Sequence, residues 1–141
     1  VRAFGVLLAG TPQTMQQKVD YVDFMGEVML YFSEKIRQLN ELGVNDVILD
    51  PGFGFSKTLD QNYELMARMN EFRLFDMPLL VGISRKSMIY RFLDTDPSES
   101  LNGTTVLNTF ALQHGADILR VHDVKQAVEA IRIIGKLSNI Q

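Results

Sequence analysis

The stretch Asp50-Pro51-Gly52-Phe53-Gly54-Phe55 decides the fold of this chain. It closes an apolar run, Val47-Ile48-Leu49, with an acid, a proline and two glycines. The same event recurs twice: Leu79-Leu80-Val81-Gly82 leads into Ser84-Arg85-Lys86, and Ile118-Leu119 leads into Arg120-Val121-His122-Asp123. These runs are continuously apolar, not alternating, the pattern of strands buried on both faces in a parallel sheet. If the strands are parallel and adjacent, their polar ends share one rim, where α/β proteins place their chemistry. An acid, a lysine, an arginine and a histidine then converge.

Outward from these strands the pattern is strand then helix, repeated, which implies a parallel sheet. Strand one is read at roughly Ala3 to Leu8, ended by Gly10-Thr11-Pro12. Its helix runs from about Asp23 to Leu42 on a stripe of Val28, Phe32, Ile36 and Leu39, and Gly43 stops it. Strand two is Asp46 to Leu49. The next helix lies near Asp60 to Phe72, with Met66, Met69 and Phe72 on one face. Pro78 opens strand three, a short helix follows from Lys86, and a longer one spans about Thr104 to His114 before Gly115. Strand four is Asp117 to Val121. Asp123 is expected to cap the last helix, with Gln126 completing a capping box and Val124, Ala127, Val128, Ile131 and Ile134 forming its apolar face. No linker or repeat divides residues 1–141, which are read as a single domain.

The chain has 141 residues, 46% hydrophobic and 22% charged, the make-up of an ordinary globular domain. Its net charge of -3 gives no overall attraction to nucleic acid or anionic membrane, so any anion site must be local. Without cysteine, disulfides and thiolate metal sites are excluded. No stretch is apolar for long enough to be a membrane-spanning helix. Val1-Arg2-Ala3-Phe4 carries no signal-peptide pattern and no initiator Met, so the expectation is a cytoplasmic chain that starts mid-domain.

Residue by residue, Asp50 is either a turn acid satisfying nearby N–H groups or a carboxylate aimed into a rim pocket. In the second role it can accept two N–H bonds from an amidine-like heterocycle edge. Gly52-x-Gly54-x-x-Lys57 lacks both the third glycine of a dinucleotide fingerprint and the Gly-Lys-Ser/Thr of a P-loop, so both nucleotide readings fail. Phe53 and Phe55 are read first as core or loop anchors. Arg85 and Lys86 open a helix either as solvated cations or, because cations there oppose the dipole, facing an anionic or electron-rich ligand, with Arg85 also open to a structural role. Arg120 and His122 alternate across Val121, so period two puts them on one strand face. Arginine offers a planar fork suited to phosphate oxygens, and histidine adds a donor. The pair is expected to form an anion site with the helix entry near Lys86. Asp123 is read as a helix cap in preference to an orienting partner for His122. His114 is read as structural, and Lys57 as solvated.

DPGFGFSK, PLLVGISRKS and ILRVHDV, in this order and at these spacings, closely resemble the dihydropteroate synthase family over nearly the whole chain. The resemblance implies a TIM-type (β/α)8 barrel, of which this chain is the C-terminal half, strands five to eight, as four βα units of parallel strands. It implies a transferase of folate biosynthesis that joins p-aminobenzoate to hydroxymethyl-dihydropterin diphosphate and is a sulfonamide target. The substrate-binding positions carried over are Asp50, Phe55, Gly82, Ser84, Lys86, Arg120 and His122. Asp50 grips the pterin, Phe55 lines the pocket, Ser84 contacts the p-aminobenzoate end, and Lys86 reaches both substrates. Lys86, Arg120 and His122 are the catalytic set, the last two acting on the diphosphate. Mg2+ is expected of the complete family enzyme, but its protein ligand belongs to a first strand this chain lacks, so no metal ligand is assigned here. Where the family carries a Met-His-Met-type strand, this chain has Val6-Leu7-Leu8-Ala9, with Leu7 in place of the histidine.

Two further readings compete. One is a catalytically inactive half barrel that leaves two open sheet edges and closes by dimerisation, by pairing with a complementing N-terminal half, or relaxes into an open sheet. The other is a different pterin-binding barrel, such as a methyltetrahydrofolate methyltransferase. The Ser84-Arg85-Lys86 and Arg120-x-His122 pairing argues against it, because a methyl donor needs no diphosphate site.

Overall fold

The computed structural model describes residues 5–8, as backbone, and 23–140. Four strands, β1 (Gly5–Leu8), β2 (Val47–Asp50), β3 (Leu80–Val81) and β4 (Ile118–Leu119), alternate with helices. Helix α1 (Phe24–Glu41) joins β1 to β2, α2 (Leu59–Ala67) lies between β2 and β3, and α3 (Ser87–Tyr90) and α4 (Leu101–Gln113) lie between β3 and β4. Helix α5 (Val124–Ser138) follows β4. Strands β1 and β2 pair in parallel with Gly5 opposite Val47 and Leu8 opposite Asp50. Strands β3 and β4 pair in parallel with Leu80 opposite Ile118. A parallel bridge between Leu49 and Leu79 joins the two pairs, giving the spatial order β1-β2-β3-β4. The turn from Gly10 to Met15 and the side chain of Leu7 lie outside what is described.

Local chemistry sets the helix ends. The Asp23 carboxylate accepts the Gly26 N–H at 2.9 Å and caps α1, and Gly43 takes a φ of 80° just past its end. Thr58 and Gln61 form a full capping box at the start of α2. The apolar faces meet in one core. Val28 and Phe32 of α1 are fully buried, and Phe32 packs edge-on against Phe72, ring centres 5.3 Å apart. Met66, Met69 and Phe72 are buried as expected from one helix, but the helix ends at Ala67 and the chain tightens into a 3₁₀ segment, Met69–Phe75.

Four expectations need correction. The ladder at β4 covers two residues, not Asp117 to Val121, because Asp117 turns its side chain to the Leu79 N–H at 2.9 Å. Helix α4 begins at Leu101, not Thr104. Gly103 lies inside it where a Cβ would stand 2.4 Å from Ile89, so this glycine serves close helix packing and does not mark a break. Asp123 sits at the start of α5 but its side chain makes no capping bond, and no capping box with Gln126 forms. On α5, burial falls on Ala127 and Ala130, while Val124, Val128 and Ile131 are exposed. Phe32→Ala therefore should cost about 3–5 kcal/mol in denaturant unfolding, against less than about 1 kcal/mol for Val128→Ala. Similar losses for the two would place the core elsewhere.

Candidate functional site

All four residues of β2 are buried, and Asp50, the last, is 1% exposed. A carboxylate that deep needs partners for its charge. One oxygen, Oδ1, accepts the Gly52 N–H at 2.9 Å across Pro51. The other, Oδ2, accepts Arg120 Nη1 at 2.8 Å. Arg120 follows β4, and its backbone N–H still donates to Val81 at 2.9 Å. Its guanidinium therefore crosses the end of β3 to reach β2. Gly82 permits the crossing: a Cβ there would lie 2.4 Å from Nη2 and 2.8 Å from Cζ. One ion pair thus spans three adjacent strand ends.

Two lysines brace the loop after Asp50. Lys57 donates to the carbonyls of Gly52 at 2.8 Å and Phe55 at 3.2 Å, and Lys86 to the carbonyl of Phe53. The Lys86 ammonium also lies 4.8 Å from the centre of the Phe55 ring, a cation–π contact on a half-exposed aromatic. Asn62, buried on α2, accepts the Gly54 N–H at 2.7 Å and donates to Thr58 O at 2.9 Å. Lys57, Lys86 and Arg120 act electrostatically on one another in sequence, with Asp50 acting on both lysines. Three cations around one carboxylate leave local positive charge in excess, on a chain whose net charge is negative. Burial, then the neighbouring Lys86, lowers Lys57 to about 8, and burial, then Arg120, lowers Lys86 as well.

The remaining residues are tied in around this cluster. Ser84 is buried, and its Oγ accepts the backbone N–H of His122 at 3.2 Å, while the His122 side chain is at the exposed rim. Arg85, at a φ of 53°, forks onto both Asp123 oxygens at 2.9 and 3.0 Å and onto the carbonyls of Pro97 and Ser98. That fork, through its hydrogen bonds, holds the Asp123 carboxyl below its usual range. It also explains why Asp123 does not cap α5: the carboxylate is taken by a partner 38 residues away. Of the two readings of Arg85, the structural one fits: its charge is met by the Asp123 carboxylate.

The structure thus brings Asp50, Gly82 and Arg120 into direct contact and sets Lys86 on Phe55, with Arg120 and Asp50 acting on Lys86 electrostatically and Ser84 bonded to the His122 backbone. Arg120 lies on a protein carboxylate in this state, not in an open anion site. Lys57, read as solvated, is a half-buried brace, and Asn62 was not singled out at all. His114 stacks on Phe110 at 3.8 Å and bonds its carbonyl, a structural role as read. Among the described residues no three His, Asp or Glu side chains group to hold a metal ion, so they do not by themselves fit a Mg2+ site. A cavity of about 610 Å³ opens at the opposite, N-terminal ends of β3 and β4, lined by Arg73, Asp76, Pro78, Leu79 and Asp117, and shares no residue with the polar cluster.

Comparison with known proteins agrees with this picture. Residues 3–122 match the pterin binding enzyme family. The chain is 48% identical over 129 residues to the dihydropteroate synthase of Escherichia coli, covering 90% of this chain and 46% of that protein. It is 42% identical to the Synechocystis enzyme over 133 residues, 92% of this chain and 46% of that one. Among solved structures, a Stenotrophomonas maltophilia dihydropteroate synthase superposes with a TM-score of 0.89 at 32% identity, over 99% of this chain and 55% of that one. A Yersinia pestis enzyme gives 0.87 at 37% identity, over 96% and 52%. The fold is therefore of TIM-barrel type, and the chain spans about half the length of the curated relatives it matches.

The lowered Lys57 gives a pH signature. Between about 8 and its unfolded value of 10.5 the unfolded chain holds a proton at this position that the folded chain has lost, so folding stability gains as pH rises through that window. In unfolding titrations from pH 7 to 10, the unaltered chain should gain stability relative to Lys57→Met. Parallel pH curves for the two would show that Lys57 is not buried as described.

Proposed function

This chain belongs to the pterin binding enzyme family, and on that premise we propose that it is the strand-five-to-eight half of a (β/α)8 barrel of dihydropteroate synthase type, folding as one domain. The completed enzyme joins p-aminobenzoate to hydroxymethyl-dihydropterin diphosphate and releases diphosphate. The observation that carries this reading is the excess of cations at the strand ends: Lys57, Lys86 and Arg120 around the single buried carboxylate of Asp50. Asp50 accepts N–H bonds from the amidine-like edge of the pterin, and Lys86 and Phe55 hold the substrates so that the exocyclic carbon meets the amine. Arg120 and the exposed His122 stabilise the charge that develops on the departing diphosphate, the largest kind of catalytic contribution. The Mg2+ of the family enzyme finds no ligand set among the described residues, and none of these roles runs through it. A methyltetrahydrofolate methyltransferase would have no use for such a cluster.

The enzyme is cytoplasmic and a sulfonamide target; one similar Yersinia pestis structure is a complex with a sulfonamide drug. The chain alone has little or no turnover, because half of the pterin pocket and the metal ligand lie on the other half of the barrel. A second reading, a self-associating half barrel without activity, is favoured by the exposed Val124, Val128 and Ile131 on α5. Size measurement in solution separates them: a monomer that turns over only with a complementing N-terminal half fits the first, a dimer inactive with or without it fits the second.

Calorimetric titration with a pterin analogue tests the site itself. Lys86→Ala should weaken binding about tenfold, since a desolvated charge-assisted hydrogen bond contributes roughly 1.5–3 kcal/mol. An unchanged dissociation constant in a folded variant would mean the pocket lies elsewhere. Synthase turnover by the isolated chain at the rate of a complete enzyme would contradict the half-site account.

A further inference from the structure

Asp50 and Arg120 were read from the sequence as recognising different ligand groups, yet they hold each other. At 1% exposure, with one oxygen on the Gly52 N–H and the other on Arg120, Asp50 has no free face for a second partner while Arg120 remains. A guanidinium and the amidine-like edge of a 2-amino heterocycle present the same thing to a carboxylate, N–H donors from one N–C–N unit. With the rim read as a pterin and diphosphate site, we infer that Arg120 is a built-in competitor for Asp50: the heterocycle edge displaces its guanidinium, and the released guanidinium becomes available to the diphosphate, so the two ligands bind with positive coupling.

The geometry suits an exchange. The Arg120 side chain is 51% exposed, so it can swing out without crossing a packed core. Asp50 passes from one donor set to another, so a buried charge is never left unpaired, the state that would be costly. Gly82 gives the stored guanidinium its place, because a Cβ there would collide with it. Lys86, which already acts on Arg120, and His122, two residues further on, stand ready to share the anion. The cation called for by the diphosphate is thus stored on the carboxylate called for by the heterocycle, and the coupling must be reciprocal.

Titration with inorganic pyrophosphate, using the 141-residue chain, tests this without any organic ligand. Gly82→Ala puts a methyl into the guanidinium's place while leaving the Asp50 charge intact, and Asp50→Asn removes the competing charge. Both should bind pyrophosphate tighter than the unaltered chain, by roughly fivefold or more, the usual lower range of coupling between sites. The gain should vanish when Arg120→Ala is added to either. If Gly82→Ala does not fold, Asp50→Asn with and without Arg120→Ala decides the matter. Saturating pterin should tighten pyrophosphate binding to the unaltered chain by a similar factor and do nothing for Gly82→Ala. Tighter binding by Asp50→Asn alone, with a folded Gly82→Ala unchanged, would reduce the effect to local charge and overturn the exchange. Absence of pyrophosphate binding in every form, or a gain that survives Arg120→Ala, would overturn it too. Failure of pterin to bind the unaltered chain counts against the pterin reading alone, since the pyrophosphate comparison stands without it.

Discussion

A carboxylate buried at the end of a central strand must be matched, and the match made for Asp50 organises the rim. Its charge cannot be left to solvent at 1% exposure. The nearest answer is local, the Gly52 N–H across a proline turn. The other answer comes from two strands away, where Arg120 crosses Gly82 to reach it. That single crossing explains why the residue after β3 is a glycine. The crossing fits the strand order that the backbone ladders set, with β2, β3 and β4 side by side.

From this pair the rest of the cluster follows. The loop from Gly52 to Phe55 turns back on itself, and its carbonyls are collected by Lys57 and Lys86 while its Gly54 N–H goes to Asn62. Burial and then Lys86 lower Lys57, burial and then Arg120 lower Lys86, and Asp50 partly opposes both shifts. The Arg85–Asp123 fork sits beside the cluster and ties the β3 loop to the start of α5. It neutralises one cation, so that the excess charge of the rim belongs to Lys57, Lys86 and Arg120. The cavity at the other strand ends shares no residue with this cluster.

Much of this was legible in the sequence because it is local or periodic. Continuous apolar runs gave parallel strands, and Val28 and Phe32 at helical spacing gave the buried face of α1. What stayed hidden depends on partners distant in sequence. Asp123 before a helix reads as a cap, and nothing nearby announces Arg85 as the stronger claim. The apolar positions of α5 promise a buried face, but only Ala127 and Ala130 are buried. Lys57 looks like a surface residue because its acceptors are main-chain carbonyls, which leave no mark in residue identity. Arg120 and His122 were set on one strand face, but β4 ends at Leu119 before either of them, and the pairing of Arg120 with Asp50, 70 residues apart, was not foreseen.

A double-mutant cycle on Asp50 and Arg120 bears most directly on this account. Unfolding free energies of the unaltered chain, Asp50→Asn, Arg120→Met and the double variant give the pairwise energy, freed of the separate effects of each substitution. A pair joining a buried carboxylate to a half-exposed guanidinium should show a favourable coupling of about 1 kcal/mol, discounted for solvent screening on the Arg120 side. Additivity to within about 0.3 kcal/mol would mean that the two residues do not hold each other in solution, and that the rim is not organised around Asp50.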